Sequence, residues 1–170
     1  MSADSYDLML YEMSHEEARS LCGSGLDINA PDPYGDYLIT VACSRLQLEN
    51  VTLLVSMGAN LNVKNSEGNT PLLCAVDVAQ HNEPVAVEIT KILIAAGADL
   101  ELRGYMDKTP FLKACSRGCL EVLKVLVANG CDINAVAHDF DGNDSGLELA
   151  DIFHTSIEFR SYLRELYRAA

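Results

Sequence analysis

The sequence predicts an all-α protein that stacks repeated helix-turn-helix units, and two observations support this fold class. In residues 103–135, apolar side chains recur at helical spacing in two short segments, and Gly118 and Gly130 follow these segments as helix-ending residues. Neither short helix could bury its apolar stripe alone, so the unit needs neighbours of its own kind. Closely similar loops indicate such neighbours at 57–62, 96–101 and 129–134, with a shortened copy at 25–30.

The spacing of these loops identifies the kind of repeat. Glycines at positions 25, 58, 97 and 130 are separated by 33, 39 and 33 residues. The sequence Thr70-Pro71-Leu72 opens one unit and Thr109-Pro110 opens the next. This period and this opening resemble the ankyrin repeat. The resemblance implies an ankyrin-repeat solenoid whose helix-turn-helix units are connected by hairpin-like turns, with about four to five repeats including degenerate caps.

The repeats divide a single ankyrin-repeat domain, 1–170, into five consecutive parts. We expect an N-terminal cap at 1–30, repeats at 31–63, 64–102 and 103–135, and a C-terminal cap at 136–170. In the N-terminal cap, Leu8, Met9 and Tyr11 suggest a first helix, and Ser14 begins a capping-box pattern that starts a second.

The first two repeats depart from the family pattern in different ways. Tyr37 stands where a threonine would cap the first helix, so the pattern defines the helix start only to within a residue or two and leaves the fold intact. In the next repeat Thr70 can cap the helix and Pro71 takes its first position. This repeat has six extra residues at 79–84, and we expect them to extend the first helix or bulge outward.

The last part of the chain predicts an enlarged loop at 138–144 and a final helix from about Ser156. The helical pattern turns four side chains inward, Phe159, Leu163, Leu166 and Tyr167, and places Arg160, Arg164 and Arg168 along an exposed stripe.

Charge and composition narrow the possible partners. The formal net charge is -13, from 12 basic and 25 acidic residues, which argues against nucleic acid and anionic membrane and suits a basic protein. High acidity also serves solubility alone. No secretory signal and no apolar run of membrane-spanning length are visible, so we expect six free cysteines in a cytoplasmic protein.

Catalytic and metal sites find little support in the residues. Residues 139–142, Asp-Phe-Asp-Gly, resemble the nucleophile motif of haloacid-dehalogenase-like phosphatases, but the chain is too short beyond them for the other motifs of that family. Calcium at Asp139, Asp141 and Asp144 would lack the frame of an EF-hand. Zinc at Cys115 and Cys119 would lack two ligands. We expect no enzyme activity, no metal and no cofactor.

The resemblance implies protein binding through the turn tips and the first helix of each repeat. Tyr34, Tyr105 and Met106 are large side chains at predicted tips, where aromatic residues can dominate an interface. The candidate partner-binding residues are Pro33, Tyr34, Asp36, Ser44, Arg45, Ser66, Glu67, Asn69, Asp77, Tyr105, Met106, Lys108, Ser116 and Arg117.

The function we predict is a small acidic binder or inhibitor, for example a toxin-neutralising immunity protein. It would be a monomer when free and would occlude a basic protein through its concave face. One alternative is an adaptor that recruits one protein to another through two surfaces. A remote alternative is a hydrolase that uses the loop from Asp139 to Asp144.

Overall fold

A computed structural model describes residues 27–139 and 142–169, together with the isolated positions 16 and 20. The helices predicted around Leu8 and Ser14, Cys22 and the apex of the 138–144 loop therefore lie outside the described residues.

Eight α-helices and one two-stranded antiparallel sheet form the described part of the chain, which confirms the predicted ankyrin-type helical stack. The helices are α1 (Leu38–Ser44), α2 (Leu48–Ser56), α3 (Pro71–Asp77), α4 (Glu83–Ala95), α5 (Pro110–Arg117), α6 (Leu120–Ala128), α7 (Gly146–Ile152) and α8 (Ile157–Ala169). Short 3-10 turns cover Ala79–His81 and Tyr105–Asp107. The strands are β1 (Val136–Asp139) and β2 (Gly142–Ser145).

The helices lie in two layers. The first helices α1, α3, α5 and α7 pack side by side in chain order, and the second helices α2, α4 and α6 form a parallel row behind them. The core between the layers is apolar, with Phe111, Leu72, Leu123 and Leu126 fully buried. The side of α1, α3, α5 and α7 that faces away from the second helices is called the first-helix face. It corresponds to the predicted concave face.

Local hydrogen bonds explain where the first helices begin. The hydroxyls of Thr70 and Thr109 each accept a hydrogen bond, at 3.3 Å, from the backbone N–H three residues on, and proline follows each of them. Tyr37 has no capping side chain, but the hydroxyl of Thr40 accepts from the Tyr37 N–H at 3.0 Å. The helix therefore starts at Leu38, in register with Pro71, which resolves the start that the sequence left open by a residue or two.

Of the six extra residues, three form the 3-10 turn Ala79–His81 just after α3, Asn82 precedes α4, and the last two begin α4, so the insertion does not extend the α-helix α3 itself. α3 has 7 residues, as α1 does, whereas α4 has 13 against 9 in α2 and α6. Asn82 accounts for this, because its side-chain oxygen accepts from the Val85 N–H at 3.4 Å and starts a new helix. Glu83 then accepts from the Glu121 N–H at 3.0 Å, which ties the insertion to the next repeat.

Side-chain acceptors also join the loops that follow the second helices. In each case a backbone N–H donates to a side-chain oxygen about one repeat earlier: Asn60 to Asn29 at 2.8 Å, Asp99 to Asn62 at 2.9 Å, and Asp132 to Glu101 at 2.7 Å. Each repeat thus satisfies polar groups of the next one, which favours a rigid stack.

The predicted enlarged loop at 138–144 is part of a β-hairpin, in which Val136 lies opposite Ser145 and His138 opposite Asn143. Side-chain contacts support this pairing, since His138 Nδ1 lies 2.7 Å from the side-chain oxygen of Asn143. After the hairpin, the hydroxyl of Ser145 accepts from the Glu148 N–H, and the Glu148 carboxylate accepts from the Ser145 N–H, in a capping box that starts α7.

The final helix α8 agrees with its predicted pattern. Phe159 and Leu163 are fully buried, and the hydroxyl of Tyr167 donates to the backbone oxygen of Ile133 at 2.9 Å. Arg160 contacts the Asp151 carboxylate at 3.3 Å, which anchors part of the arginine stripe to α7. Within the described ranges, no helix is long and apolar enough to cross a membrane.

Candidate functional site

Three large side chains stand out from the turns that precede the first helices. Tyr34 is 72% exposed, Tyr105 61% and Met106 44%. The first turn contains Gly35 at φ 90°, whereas the third has Met106 and Asp107 at φ 57° and 53°. Non-glycine residues rarely adopt this left-handed conformation, so the third turn needs support from its surroundings.

Arg103 supplies that support. Its Nη1 group lies 2.8 Å from three oxygens: the Asp107 backbone oxygen, the Asp107 carboxylate and the Val136 backbone oxygen. One guanidinium thus closes the turn on itself and attaches it to strand β1. Tyr105 and Met106 are consequently presented from a fixed backbone.

Neighbouring turn tips are also bound to one another. The Asp36 carboxylate accepts from the backbone N–H and the hydroxyl of Ser66, at 3.2 and 2.9 Å. The side-chain oxygen of Asn69 accepts from the Tyr105 N–H at 3.1 Å. Because the tips are ordered before any partner arrives, binding through them would lose little conformational entropy.

A pocket of about 300 Å³ opens on the first-helix face between α1 and α3. Six of the predicted site residues line it, namely Asp36, Ser44, Ser66, Glu67, Asn69 and Asp77. Its remaining lining residues are Thr40, Val41, Asn65, Cys74 and Val78. The pocket therefore combines three carboxylates with an apolar wall.

Asp77 differs from the other two carboxylates because cations already contact it. Lys113 Nζ lies 2.9 Å and Arg117 Nη2 2.7 Å from Asp77 Oδ1. Partial burial alone would raise the pKa of Asp77, but hydrogen bonds from Lys113 and Arg117 hold this pKa below its usual value. Among the ion pairs of the described residues, none involves Asp36 or Glu67, so these two carboxylates carry the pocket's unbalanced charge.

Three predicted site residues are buried and have little surface to offer a partner. Lys108 extends beneath the ring of Phe153, with its Nζ 4.9 Å from the ring centre. Ser116 donates to the Lys113 backbone oxygen at 2.9 Å. Asn69 is covered where it holds the Tyr105 tip. Their turn and helix positions were predicted, but the contacts of Lys108 and Asn69 come from other repeats.

The other predicted residues keep exposed or half-exposed surface: Pro33, Tyr34, Asp36, Ser44, Arg45, Ser66, Glu67, Asp77, Tyr105, Met106 and Arg117. Sequence reasoning missed Arg103, Lys113 and the apolar pocket wall. Thr40 and Ser44 are four residues apart in α1, and this helical spacing could have indicated that they share one side of the helix.

The cysteines that the structure describes behave as packing residues. All five are buried and free, and burial raises the pKa of Cys74 to about 12 and that of Cys119 to about 11. In the described ranges, no group of three or more His, Cys, Asp or Glu side chains could hold a metal ion.

Comparison with known proteins agrees with this architecture. The family described as ankyrin repeats (3 copies) matches residues 9–100, more than half of the chain, and a single ankyrin repeat matches 107–135. Ankyrin repeats are protein–protein interaction modules.

Three relatives illustrate the similarity. Human ankyrin repeat and SOCS box protein 16 is 36% identical over 103 residues, covering 59% of this chain and 21% of that protein. A putative ankyrin repeat protein of Rickettsia bellii is 34% identical over 113 residues, covering 66% and 34%. Human NF-kappa-B inhibitor alpha is 43% identical over 68 residues, covering 40% and 20%.

This chain spans only a fifth to a third of the length of those relatives, so the likeness concerns the repeats and not the whole proteins. The repeats agree in three respects: the period of the sequence, the two layers of helices and the matched family. The chain therefore belongs to the ankyrin-repeat family.

Proposed function

We propose that this protein is an inhibitor that binds a basic surface of a protein partner and occludes it. The observation that carries the proposal is the pairing of rigid, exposed tips at Tyr34, Tyr105 and Met106 with an acid-lined pocket on the adjoining first-helix face. A relative that shares part of the repeat array is named an inhibitor, which supports the same reading.

The tips and the charge have separate roles in this proposal. The large side chains of Tyr34, Tyr105 and Met106 supply the contact energy, and the pre-ordered backbone of the tips lowers the conformational entropy lost on binding. The net charge of -13 attracts a basic partner over a distance and speeds its encounter, an effect that added salt weakens. We also propose that the protein is a cytoplasmic monomer when free, in keeping with its buried free thiols.

The test begins with a basic protein captured from the source cell and purified. Its dissociation constant is then measured by calorimetry for the native chain and for Tyr34→Ala, Tyr105→Ala and Met106→Ala. We expect each tip variant to bind at least about tenfold more weakly. Met57→Ala is the matched control, because Met57 is an exposed apolar side chain away from the tips, just after α2.

The inhibitory role has its own readout. One equivalent of the native chain is expected to abolish the partner's activity, as an immunity protein does with its toxin, and the tip variants are expected to need proportionally more. A dissociation constant that changes neither with the tip substitutions nor with the salt concentration would contradict the proposed surface. Binding that leaves the partner fully active would contradict the inhibitor role.

An adaptor is the second candidate, because one observation favours it. Ile152, Phe153 and Ile157 form a separate exposed apolar cluster where α7 meets α8, and Ile157 is 77% exposed. Such a cluster is a candidate second contact surface. Ile157→Asp distinguishes the two roles: an adaptor would lose a second ligand and keep the first, whereas a simple inhibitor would lose nothing.

A further inference from the structure

The pocket between α1 and α3 has a lining that matches one kind of side chain. We propose that it receives a single arginine of the partner, an inference that rests on the proposed function and specifies the partner's chemistry. The pocket volume of about 300 Å³ lies at the lower end of the range for ligand sites and accommodates one long side chain with a few waters.

The wall of the pocket suits the stem of an arginine. Val41 in α1 and Val78 just after α3 contribute apolar surface, and Cys74 adds a buried thiol to the lining. Burial raises the pKa of Cys74 to about 12, so this thiol stays uncharged and belongs to the apolar wall. The three methylene groups of arginine can lie against such a wall while the charged end reaches polar groups.

The polar groups suit a guanidinium because they come from separate parts of the structure. Asp36 lies in the turn before α1, Glu67 at the tip of the next turn, and Asp77 at the last turn of α3. A guanidinium has five N–H donors in a planar fork, whereas an ammonium has three donors on one atom. Acceptors spread around a cavity can therefore be satisfied together by arginine more readily than by lysine.

The charge balance also favours a cation in this place. Lys113 and Arg117 both contact Asp77 through its Oδ1 atom, whereas the described ion pairs leave Asp36 and Glu67 uncompensated. These two carboxylates keep their positions through hydrogen bonds from Ser66 and Asn69. The pocket thus holds two fixed negative charges beside an apolar wall, which a mobile inorganic ion would match less well than an arginine side chain.

The neighbourhood of the pocket agrees with an arginine that belongs to a protein. Asp36 lies two residues after Tyr34, and Asn69, another lining residue, holds the Tyr105 tip. A partner surface that contacts these tips would bring its own side chains over the pocket mouth. An arginine flanked by aromatic contacts is a typical centre of a protein interface.

The test uses defined peptides, so it does not depend on finding the partner. The isotope-labelled full chain is titrated with acetyl-Gly-Arg-Gly-amide, and its backbone amide resonances are followed by NMR. Matched peptides carry lysine or citrulline in place of arginine, and citrulline keeps the shape of arginine without its charge. We expect saturable shifts at Asp36, Ser66 and Glu67 with the arginine peptide, and binding at least about fivefold weaker with the other two.

Two isosteric substitutions locate the effect. Glu67→Gln is expected to lower the affinity for the arginine peptide roughly fivefold, because it removes one of the two uncompensated charges. Glu49→Gln makes the same change in net charge on α2, at an exposed residue outside the pocket lining, and is expected to leave the affinity unchanged. The amide spectra also report whether each variant is folded.

Each other outcome would overturn the inference. Absent shifts in the pocket, equal binding of the citrulline peptide, equal binding of the lysine peptide, or equal weakening by Glu49→Gln all contradict an arginine site. If the peptides do not bind the pocket while the tip variants still bind the captured partner more weakly, the arginine site is wrong and the proposed function stands. If the tip variants also bind normally, both are wrong.

Discussion

The substitution Asp77→Asn tests how the first-helix face is held together. Asp77 on α3 contacts Lys113 and Arg117 on α5, at 2.9 and 2.7 Å, and so joins two repeats electrostatically. The Lys113 side chain is only 6% exposed, so its ammonium depends on Asp77 for charge compensation. Asparagine keeps the size of the side chain and removes the charge.

The magnitude follows from the burial of the partners. Breaking a fully buried ion pair from one side costs about 3 to 5 kcal/mol, because a charge is left uncompensated. Asp77 and Arg117 are partly exposed, and exposed pairs contribute about 0.2 to 1 kcal/mol each. We therefore expect Asp77→Asn to lower the free energy of unfolding by about 2 to 3 kcal/mol at pH 7.

Lys113→Met provides the matched comparison. It removes the buried ammonium together with its desolvation cost, and Asp77 keeps Arg117. We expect Lys113→Met to lower the free energy of unfolding by less than about 1 kcal/mol. We expect the double variant, with both Asp77→Asn and Lys113→Met, to be more stable than Asp77→Asn alone. Urea unfolding followed by circular dichroism, with the slope checked for unchanged cooperativity, gives all three values.

The effect of pH has a definite sign. The folded-state pKa of Asp77 is below its ordinary value of 3.8, so the ionised form is favoured by folding. This contribution to stability is fully present above the unfolded-state pKa and is lost as the pH falls through the folded-state pKa. The difference in free energy of unfolding between the native chain and Asp77→Asn should therefore be constant at neutral pH and should disappear at acidic pH. A gap below about 0.5 kcal/mol at pH 7, or a double variant no better than Asp77→Asn, would refute the reasoning.

Three further predictions concern packing, burial and the third tip. Gly146→Ala would place a methyl group 2.7 Å from a ring carbon of Phe111 and 2.9 Å from the Cys115 sulfur. Although alanine has the better helix propensity, we expect urea denaturation to show a free energy of unfolding lower by about 1 to 3 kcal/mol. Cys74 is expected to resist iodoacetamide at pH 8 until urea unfolds the chain, as peptide mass spectrometry would record, and modification in the native state would contradict its burial. Arg103→Ala is expected to speed amide hydrogen exchange in the Tyr105–Asp107 turn at least about tenfold, whereas Arg168→Ala should not; equal exchange would show that Arg103 does not hold the turn.

The repeat architecture was predictable because its signals are local. The helix starts at Thr70 and Thr109 and the burial pattern of α8 each depend on residues within a few turns of one another, and the 33-residue period repeats such local patterns along the chain. Even where Tyr37 replaces the usual threonine, the helix keeps its register, because Thr40 provides a hydrogen bond from inside the first turn. The pattern located the departure but left the helix start open, because the hydrogen bond that decides it comes from Thr40 and not from the capping position.

By itself, then, the sequence determined the fold class, the order of the repeats and which side chains occupy the tips. Only the tertiary structure decided which of those side chains stay accessible. Lys108 is covered by Phe153, Asn69 is used by Tyr105, and Asp77 is neutralised from the next repeat. These partners lie tens of residues apart along the chain and meet only when the repeats stack, so no local pattern could reveal them. The pocket between α1 and α3 has the same origin, because its two walls belong to different repeats.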